Sequence, residues 1–157
     1  MFEGAHRIIR TGGGATSRIN LNAISRQAGS SLDIQNGDIA TTDNTNTNGI
    51  IGGWITVNGT DWAQNSTNAA DGLITAFTSY SNDVWVHNSN VNVTTNATES
   101  GQINTLRFNT ASNITLNLGA VILDSGGLLV TPGAGANTIL LNGALSRSIQ
   151  LPPAAAT

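Results

Sequence analysis

The residues of this chain best suited to chemistry are aromatic. Trp54 and Trp62 stand eight positions apart among glycine, asparagine and threonine, and Tyr80 and Trp85 follow. Flat aromatic rings can stack on sugars, but they can equally fill the interior of a fold that has few large side chains. The candidate ligand-binding residues are therefore Trp85, Tyr80 and Trp54, with carbohydrate as the ligand class.

Local alternation separates these candidates only in part. If Val84 and Val86 face inward, Trp85 faces outward, and both a structural and a ligand-binding role stay open for it. The same alternation leaves the direction of Trp54 open. We expect Trp62 to hold a loop against the body of the protein, and for Trp54 and Trp62 a structural role is favoured over binding.

The titratable side chains do not form a catalytic pattern. The chain has no lysine, and His6 and His87 are far apart in sequence, as expected of surface histidines. The carboxylates are scattered singly, and most of them lie beside glycine, asparagine or serine, where aspartate serves as a turn residue: Asp33, Asp38, Asp43, Asp61, Asp71, Asp83, Glu99 and Asp124. Polysaccharide lyases and hydrolases need a cluster of such groups, so we predict no enzymatic activity, no metal site and no cofactor.

Composition limits the partners. Only 10% of the 157 residues are charged, the net charge is −3, and there is no cysteine. An acidic chain lacks the basic face that neutralises phosphates, so nucleic acid is not expected as a partner. No window of about 20 apolar residues exists, so no membrane span is expected. The first residues lack the apolar core of a signal peptide, and together with the proline- and alanine-rich tail at 151–157 they predict a fragment of a longer chain.

The elements that must position these residues are short strands. Apolar residues alternate with period two, as on a strand with one buried face, at Ile19 and Leu21, Val84 and Val86, Val91 and Val93, and Ile114, Leu116 and Leu118. No helical periodicity is present, and Asn-Gly and Gly-Gly dipeptides punctuate the chain. The sequence therefore predicts an all-β fold, for which a sandwich, a barrel and a solenoid are the alternatives.

A loose internal repeat favours the solenoid. Residues 105–126 match residues 127–147, with Arg107-Phe108 falling on Leu129-Val130 after 22 residues, and the strand at 113–116 has its counterpart at 137–141. We predict one right-handed parallel β-helix over residues 1–150, with roughly 20–25 residues per coil, six or seven coils and uniformly parallel pairing. Asparagine should occupy the corners, where it tolerates a left-handed backbone. The side chains expected to point inward in the second half are Ile114, Leu116, Leu128 and Val130.

The segment 103–143 resembles the autotransporter-associated β-strand repeat. The elements that carry the resemblance are Leu106-Arg107-Phe108-Asn109, Ile114-Thr115-Leu116, Ser125-Gly126-Gly127-Leu128-Leu129-Val130-Thr131 and Leu141-Asn142-Gly143. Residues 45–65 and 24–34 are also similar to stretches of long bacterial surface proteins. The resemblance implies a secreted or surface-displayed β-helical passenger. A full-length member is expected to carry a C-terminal membrane barrel and an export signal, and we expect these 157 residues to be a fragment without either.

Two functions follow as hypotheses. The first is a non-enzymatic structural or adhesive module of the bacterial cell surface or the extracellular space, whose main partner is itself or its parent chain. Low charge, the absence of lysine and uncapped terminal coils favour this assembly, which would give fibres or a surface layer. The alternative is a carbohydrate-binding or polysaccharide-degrading β-helix with surface glycans as partners, and three carboxylates lining one groove would favour it.

Overall fold

The chain folds as a β-solenoid of about six turns. The computed structural model describes residues 3–12 and 17–142, and within these residues every regular element is a strand. The strands are β1 (Gly4–Ile8), β2 (Ile19–Asn20), β3 (Ser30–Ile34), β4 (Ala40–Thr42), β5 (Ile55–Val57), β6 (Asp61–Asn65), β7 (Gly72–Ala76), β8 (Ser81–Asn82), β9 (Asn90–Val93), β10 (Ala97–Phe108), β11 (Thr115–Val130) and β12 (Thr138–Leu141). They form a seven-stranded sheet in the order β1-β3-β5-β6-β7-β4-β2 and a five-stranded sheet in the order β12-β11-β10-β9-β8. The predicted all-β solenoid is confirmed.

Strands of successive coils stack in parallel. β1 pairs with β3, β3 with β5, β9 with β10, β10 with β11, and β11 with β12. The predicted repeat is confirmed in the register, because Arg107 pairs with Leu129 and Phe108 with Val130. Hydrogen bonds between adjacent coils join residues 22 apart at Asn36 and Asn58 and 23 apart at Asn113 and Ala136, in keeping with the predicted coil length.

Asparagine and aspartate turn the corners of the coils. All nine non-glycine residues with positive φ in the described part of the chain are Asn or Asp: Asn22, Asn36, Asp38, Asn48, Asn58, Asn68, Asp71, Asp83 and Asn88. Short polar side chains tolerate this left-handed conformation because they bond locally to the backbone. They also join coils: Asn58 Oδ1 accepts from the Asn36 N–H at 2.6 Å, and Asn68 Oδ1 accepts from the Asn46 N–H at 2.6 Å. At Asn58 and Asn68, asparagine thus shapes the corner and also ties it to the neighbouring coil.

The parallel pairing is interrupted once, and here the expectation of uniform parallel pairing was wrong. β5 pairs antiparallel with β6, β6 with β7, and β7 with β4. The turn from β5 to β6 is Asn58-Gly59-Thr60, in which Asn58 and Gly59 have φ of 56° and 64°. Asn-Gly with positive φ at both residues produces the tight reversal of a β-hairpin, so the chain doubles back instead of completing a coil.

Buried Asn65 holds this antiparallel excursion in place. Its side-chain amide donates to the carbonyls of Thr42, Asn44 and Ala69 at 3.3, 2.8 and 2.7 Å. Its Oδ1 accepts from the backbone N–H groups of Thr67 and Asn68. A buried amide with its donors and acceptor all used fixes the loop between β6 and β7 onto the preceding coil.

Three hydrophobic clusters form the interior. The first core lies inside the seven-stranded sheet and is built around Leu32, Ile34, Ile39, Ala40, Ile55, Val57, Ala63 and Ile74. The second core lies inside the stack of the five-stranded sheet and is built around Val91, Val93, Ile103, Leu106, Phe108, Ile114, Leu116 and Leu118. A third cluster, which we call the junction, contains Ile50, Trp62 and Phe77, with Tyr80 and Leu129 packed against it. The junction therefore draws its residues from both halves of the chain.

The predicted inward set is confirmed for Ile114 and Leu116, which are buried. Leu128 and Val130 are 49% and 53% exposed, although their register partners are the buried residues Leu106 and Phe108. The reason is their place at the end of the stack. β11 pairs with β12 only at 115–118, and in the described residues no strand covers the other edge of 121–130.

The predicted domain boundary at residue 150 and the predicted tail at 151–157 lie outside the described residues.

Residues 3–12 and 17–142 contain no helix with the length and apolar character needed to cross a bilayer.

Candidate functional site

The three candidate aromatic residues do not form one platform. Trp54 packs against the first core, Trp85 against the second core, and Tyr80 against the junction. Stacking on one sugar chain requires rings on one continuous face, and these rings are divided among three clusters. Each aromatic residue must therefore be considered separately.

Trp85 points inward, whereas an outward orientation would have followed if Val84 and Val86 had faced the interior. Val84 and Val86 are 49% and 55% exposed, while the indole between them packs against the second core. Residues 84–86 lie in an irregular segment instead of a strand, so the alternation of apolar residues there did not mark an inward face. Trp85 is accordingly a packing residue. Trp62 is also buried, but within strand β6 instead of a loop.

Tyr80 lies in a compact polar and aromatic contact. Its ring meets Phe77 edge-on with centroids 5.0 Å apart, and its hydroxyl oxygen accepts from the Trp62 backbone N–H at 2.8 Å. Burial raises the pKa of Tyr80 from 10.0 to about 12, against a smaller opposite effect of the Trp62 N–H. A phenol held neutral in this way is a structural hydrogen-bonding group, unsuited to act as a base near neutral pH.

Arg107 completes this contact from the other half of the chain. Its guanidinium carbon lies 4.2 Å from the centre of the Tyr80 ring, and Nη2 is 3.0 Å from Oδ1 of Asp61. Arg107 projects from β10 and is 7% exposed. A cation that is both paired with a carboxylate and placed over an aromatic face offsets the cost of burying its charge. The pair thus links β6 of the first sheet to β10 of the second.

A groove of about 540 Å³ lies where the two sheets meet. One wall is the outer face of β1, β3 and β5, which presents Ala5 and Arg7, Ser31 and Asp33, and Thr56. The opposite wall is Leu128 and Leu129 of β11, and Trp54 and Trp62 also line the groove. The sheets touch at its base through two glycines, since a Cβ on Gly53 would stand 2.6 Å from the Cα of Gly127. This groove is the strongest candidate site on the described part of the molecule.

Asp33 is held firmly in the groove wall. Its Oδ1 accepts from the Thr56 hydroxyl at 2.8 Å and from the Gly59 N–H at 2.7 Å, and its Oδ2 accepts from the Gln35 amide. Donors on both oxygens fix the orientation of the carboxylate. Fixed polar groups beside an aromatic wall are the usual composition of a small-molecule site.

The other carboxylates remain scattered in the fold. Within residues 3–12 and 17–142, no three His, Cys, Asp or Glu side chains approach closely enough to hold a metal ion. Burial opposes ionisation of Asp83, but hydrogen bonds from Thr94 and Thr95 outweigh it and lower the pKa of this carboxyl below its usual value. Asp83 has positive φ and accepts from the Thr94 N–H at 2.8 Å, so it serves as a corner. His87 lies on the surface, with its Nε2 3.5 Å from Oδ2 of Asp124.

Sequence reasoning gave Arg7, Asp33 and Arg107 no role in a site, and Asp33, which it expected in a turn, lies in β3. The sequence did contain a signal for Arg107. Arg107 and Phe108 are consecutive in a strand between two apolar coils, so their side chains point to opposite faces and the arginine must face another part of the protein. The groove itself had no local signal, since its walls come from β1, β3 and β5 on one side and from β11 on the other, which are far apart in sequence. Comparison of the chain with protein-family models, with curated proteins and with solved structures gives no match.

Proposed function

We propose that this chain is a non-enzymatic structural or adhesive module of an extracellular or bacterial cell-surface β-solenoid, and that it associates with copies of itself or with its parent chain. The resemblance of residues 103–143 to the autotransporter-associated repeat supports the location. The scattered carboxylates favour a role without catalysis. The alternative of a polysaccharide-degrading β-helix has no comparable support.

The observation that carries the proposal is the edge of β11. Among the described residues, 121–130 pair with β10 alone, and the apolar side chains of Ile122, Leu128 and Val130 are about half exposed. Leu128 and Val130 continue the rows of Leu106 and Phe108, which fill the second core. An unpaired strand edge with an apolar row beside it is a template for another strand. A further coil of a solenoid would pair with the strand edge and cover the apolar row.

A second copy of the chain offers a matching edge. β1 lies at the end of the seven-stranded sheet and pairs with β3 in parallel, leaving its other edge unpaired in the described residues. Addition of β1 of one copy to β11 of another would continue the parallel stacking, at roughly 4.8 Å per strand. The chain has no lysine and a charged fraction of 10%, so little charge opposes self-association. The expected products are rods or fibres.

Edge-blocking variants test this assembly. We expect the purified chain to form species whose light scattering grows with concentration and time. The double variant Leu128→Lys and Val130→Lys places two charges on the β11 edge and should stay monomeric, since both sites are half exposed and tolerate lysine in the monomer. Val84→Lys is the matched control, because Val84 is equally exposed but lies outside the strands. A wild-type chain that stays monodisperse for days at high micromolar concentration contradicts the proposal, as does equal assembly of the blocked and control variants.

A further inference from the structure

The groove between the two sheets combines a flat apolar wall with fixed polar groups. The indole of Trp54 lies against the backbone of Gly52, where a Cβ would come within 2.4 Å of Nε1, and it is partly exposed toward the groove. Arg7, Ser31 and Asp33 stand beside it on the outer face of β1 and β3. The groove thus offers a donor, a hydroxyl and an oriented carboxylate around one aromatic surface.

We propose that this groove binds a neutral saccharide, with Trp54 stacking on a sugar ring and with Arg7 and Asp33 bonding its hydroxyl groups. A sugar ring has apolar C–H faces and a rim of hydroxyls that both donate and accept, which matches this set of side chains. An apolar ligand would desolvate Arg7 and Asp33 without replacing their hydrogen bonds. An anionic ligand would lie close to the Asp33 carboxylate. The volume of about 540 Å³ is in the range of ordinary ligand sites and fits a short oligosaccharide.

This site uses different groups from the assembly proposed above. Assembly uses the backbone edges of β1 and β11, whereas saccharide binding uses side chains on the outer face of β1, β3 and β5. Because β1 and Leu128 are common to both, Leu128 is left unchanged and the titration uses the dilute, unassembled chain. Either proposal can fail without the other.

Isothermal titration calorimetry of the dilute full chain tests the site. The probes are neutral disaccharides of glucose, galactose, mannose and N-acetylglucosamine, with a glucuronate disaccharide as the anionic comparison. At least one neutral disaccharide should bind, and Trp54→Ala and Arg7→Gln should each raise its Kd at least about tenfold. The matched controls are Trp85→Phe and Arg18→Gln, which change a tryptophan and an exposed arginine outside the groove and should leave Kd within about twofold.

Arg7→Gln keeps the test decisive if Trp54→Ala does not fold, because Arg7 is exposed and outside the cores. Circular dichroism of each variant establishes that it is folded. Absence of binding by every neutral disaccharide would overturn the proposal. So would a Kd that Arg7→Gln leaves unchanged, or binding restricted to the glucuronate probe.

Discussion

At the scale of single residues, Tyr80 contacts side chains and backbone from both halves of the chain. Its ring contacts Phe77 and carries the Arg107 cation, and its hydroxyl accepts from the Trp62 backbone. The contacts with Trp62 and Arg107 are not local in sequence. Composition identifies Tyr80 as the chain's single tyrosine, but only the fold reveals that it faces inward.

The burial of Tyr80 predicts an alkaline weakness. Its pKa is 10.0 in the unfolded chain and about 12 in the folded chain, so between these values the unfolded state releases the phenol proton more readily. The stability contributed by the neutral phenol is therefore fully present below pH 10 and is lost as pH rises to about 12. The free energy of unfolding, measured with urea at successive pH values, should fall across this window in the wild type.

Tyr80→Phe provides the comparison for that titration. Phenylalanine keeps the ring under Arg107 but has no proton to lose, so its unfolding free energy should change less with pH over the same interval. Because the chain has one tyrosine, the ultraviolet absorbance of tyrosinate reports this group alone. An absorbance midpoint near pH 10 in the folded chain would show that the phenol is not buried as described.

At the scale of elements, the sequence was informative where a local pattern decides the structure. Alternation of Val91 with Val93 and of Ile114 with Leu116 identified strands that are buried on one face. The repeat of Arg107-Phe108 at Leu129-Val130 anticipated the register. The dipeptide Asn58-Gly59 is itself a sequence pattern that predicts a hairpin, but the expectation of uniform parallel stacking left it out of account. Patterns therefore indicated the elements better than their connections.

One glycine pair, Gly53 with Gly127, allows the first and second sheets to approach closely, and composition alone cannot locate it. A Cβ on Gly127 would lie 2.7 Å from the Cα of Gly53 and 2.9 Å from Cζ2 of Trp62. Gly127→Ala should therefore force β11 away from the first sheet and lower the unfolding free energy by about 1–3 kcal/mol. Urea unfolding monitored by circular dichroism measures the loss.

Gly133→Ala is the control for this substitution. A Cβ at Gly133 meets open space, and the residue does not have positive φ, so the change should stay within about 0.5 kcal/mol of the wild type. If Gly127→Ala is as stable as Gly133→Ala, the close approach of the two sheets at Gly53 is wrong.

At the scale of the whole molecule, the sequence predicted a solenoid but not its division into two stacked parts. Both cores follow from apolar rows that repeat from coil to coil. The candidate groove and the junction do not, because each combines residues from opposite halves, such as Trp54 with Leu129 in the groove and Trp62 with Leu129 in the junction. Contacts of this kind depend on how the antiparallel excursion of β6 and β7 folds over the second sheet, and no periodic pattern encodes that.

The junction also determines how the two cores unfold. In a solenoid, stability is approximately a sum of the stabilities of its coils and of the interfaces between neighbours. The interface between the first and second cores depends on the buried Arg107, its ion pair with Asp61 and its contact with Tyr80. We expect the intact junction to make both cores unfold together. Removing Arg107 should allow them to separate.

Arg107→Ala tests this coupling with one tryptophan reporter for each core. In a Trp62→Phe background, a chain that retains only Trp54 reports the first core, and a chain that retains only Trp85 reports the second. The two urea curves should coincide with Arg107 present and separate in Arg107→Ala, because this change removes the ion pair with Asp61 and the contact with Tyr80 that join the two cores. Arg18→Ala, at an exposed site, should leave the curves together. If Arg107→Ala lowers both midpoints equally and the curves still coincide, the coupling does not pass through this residue.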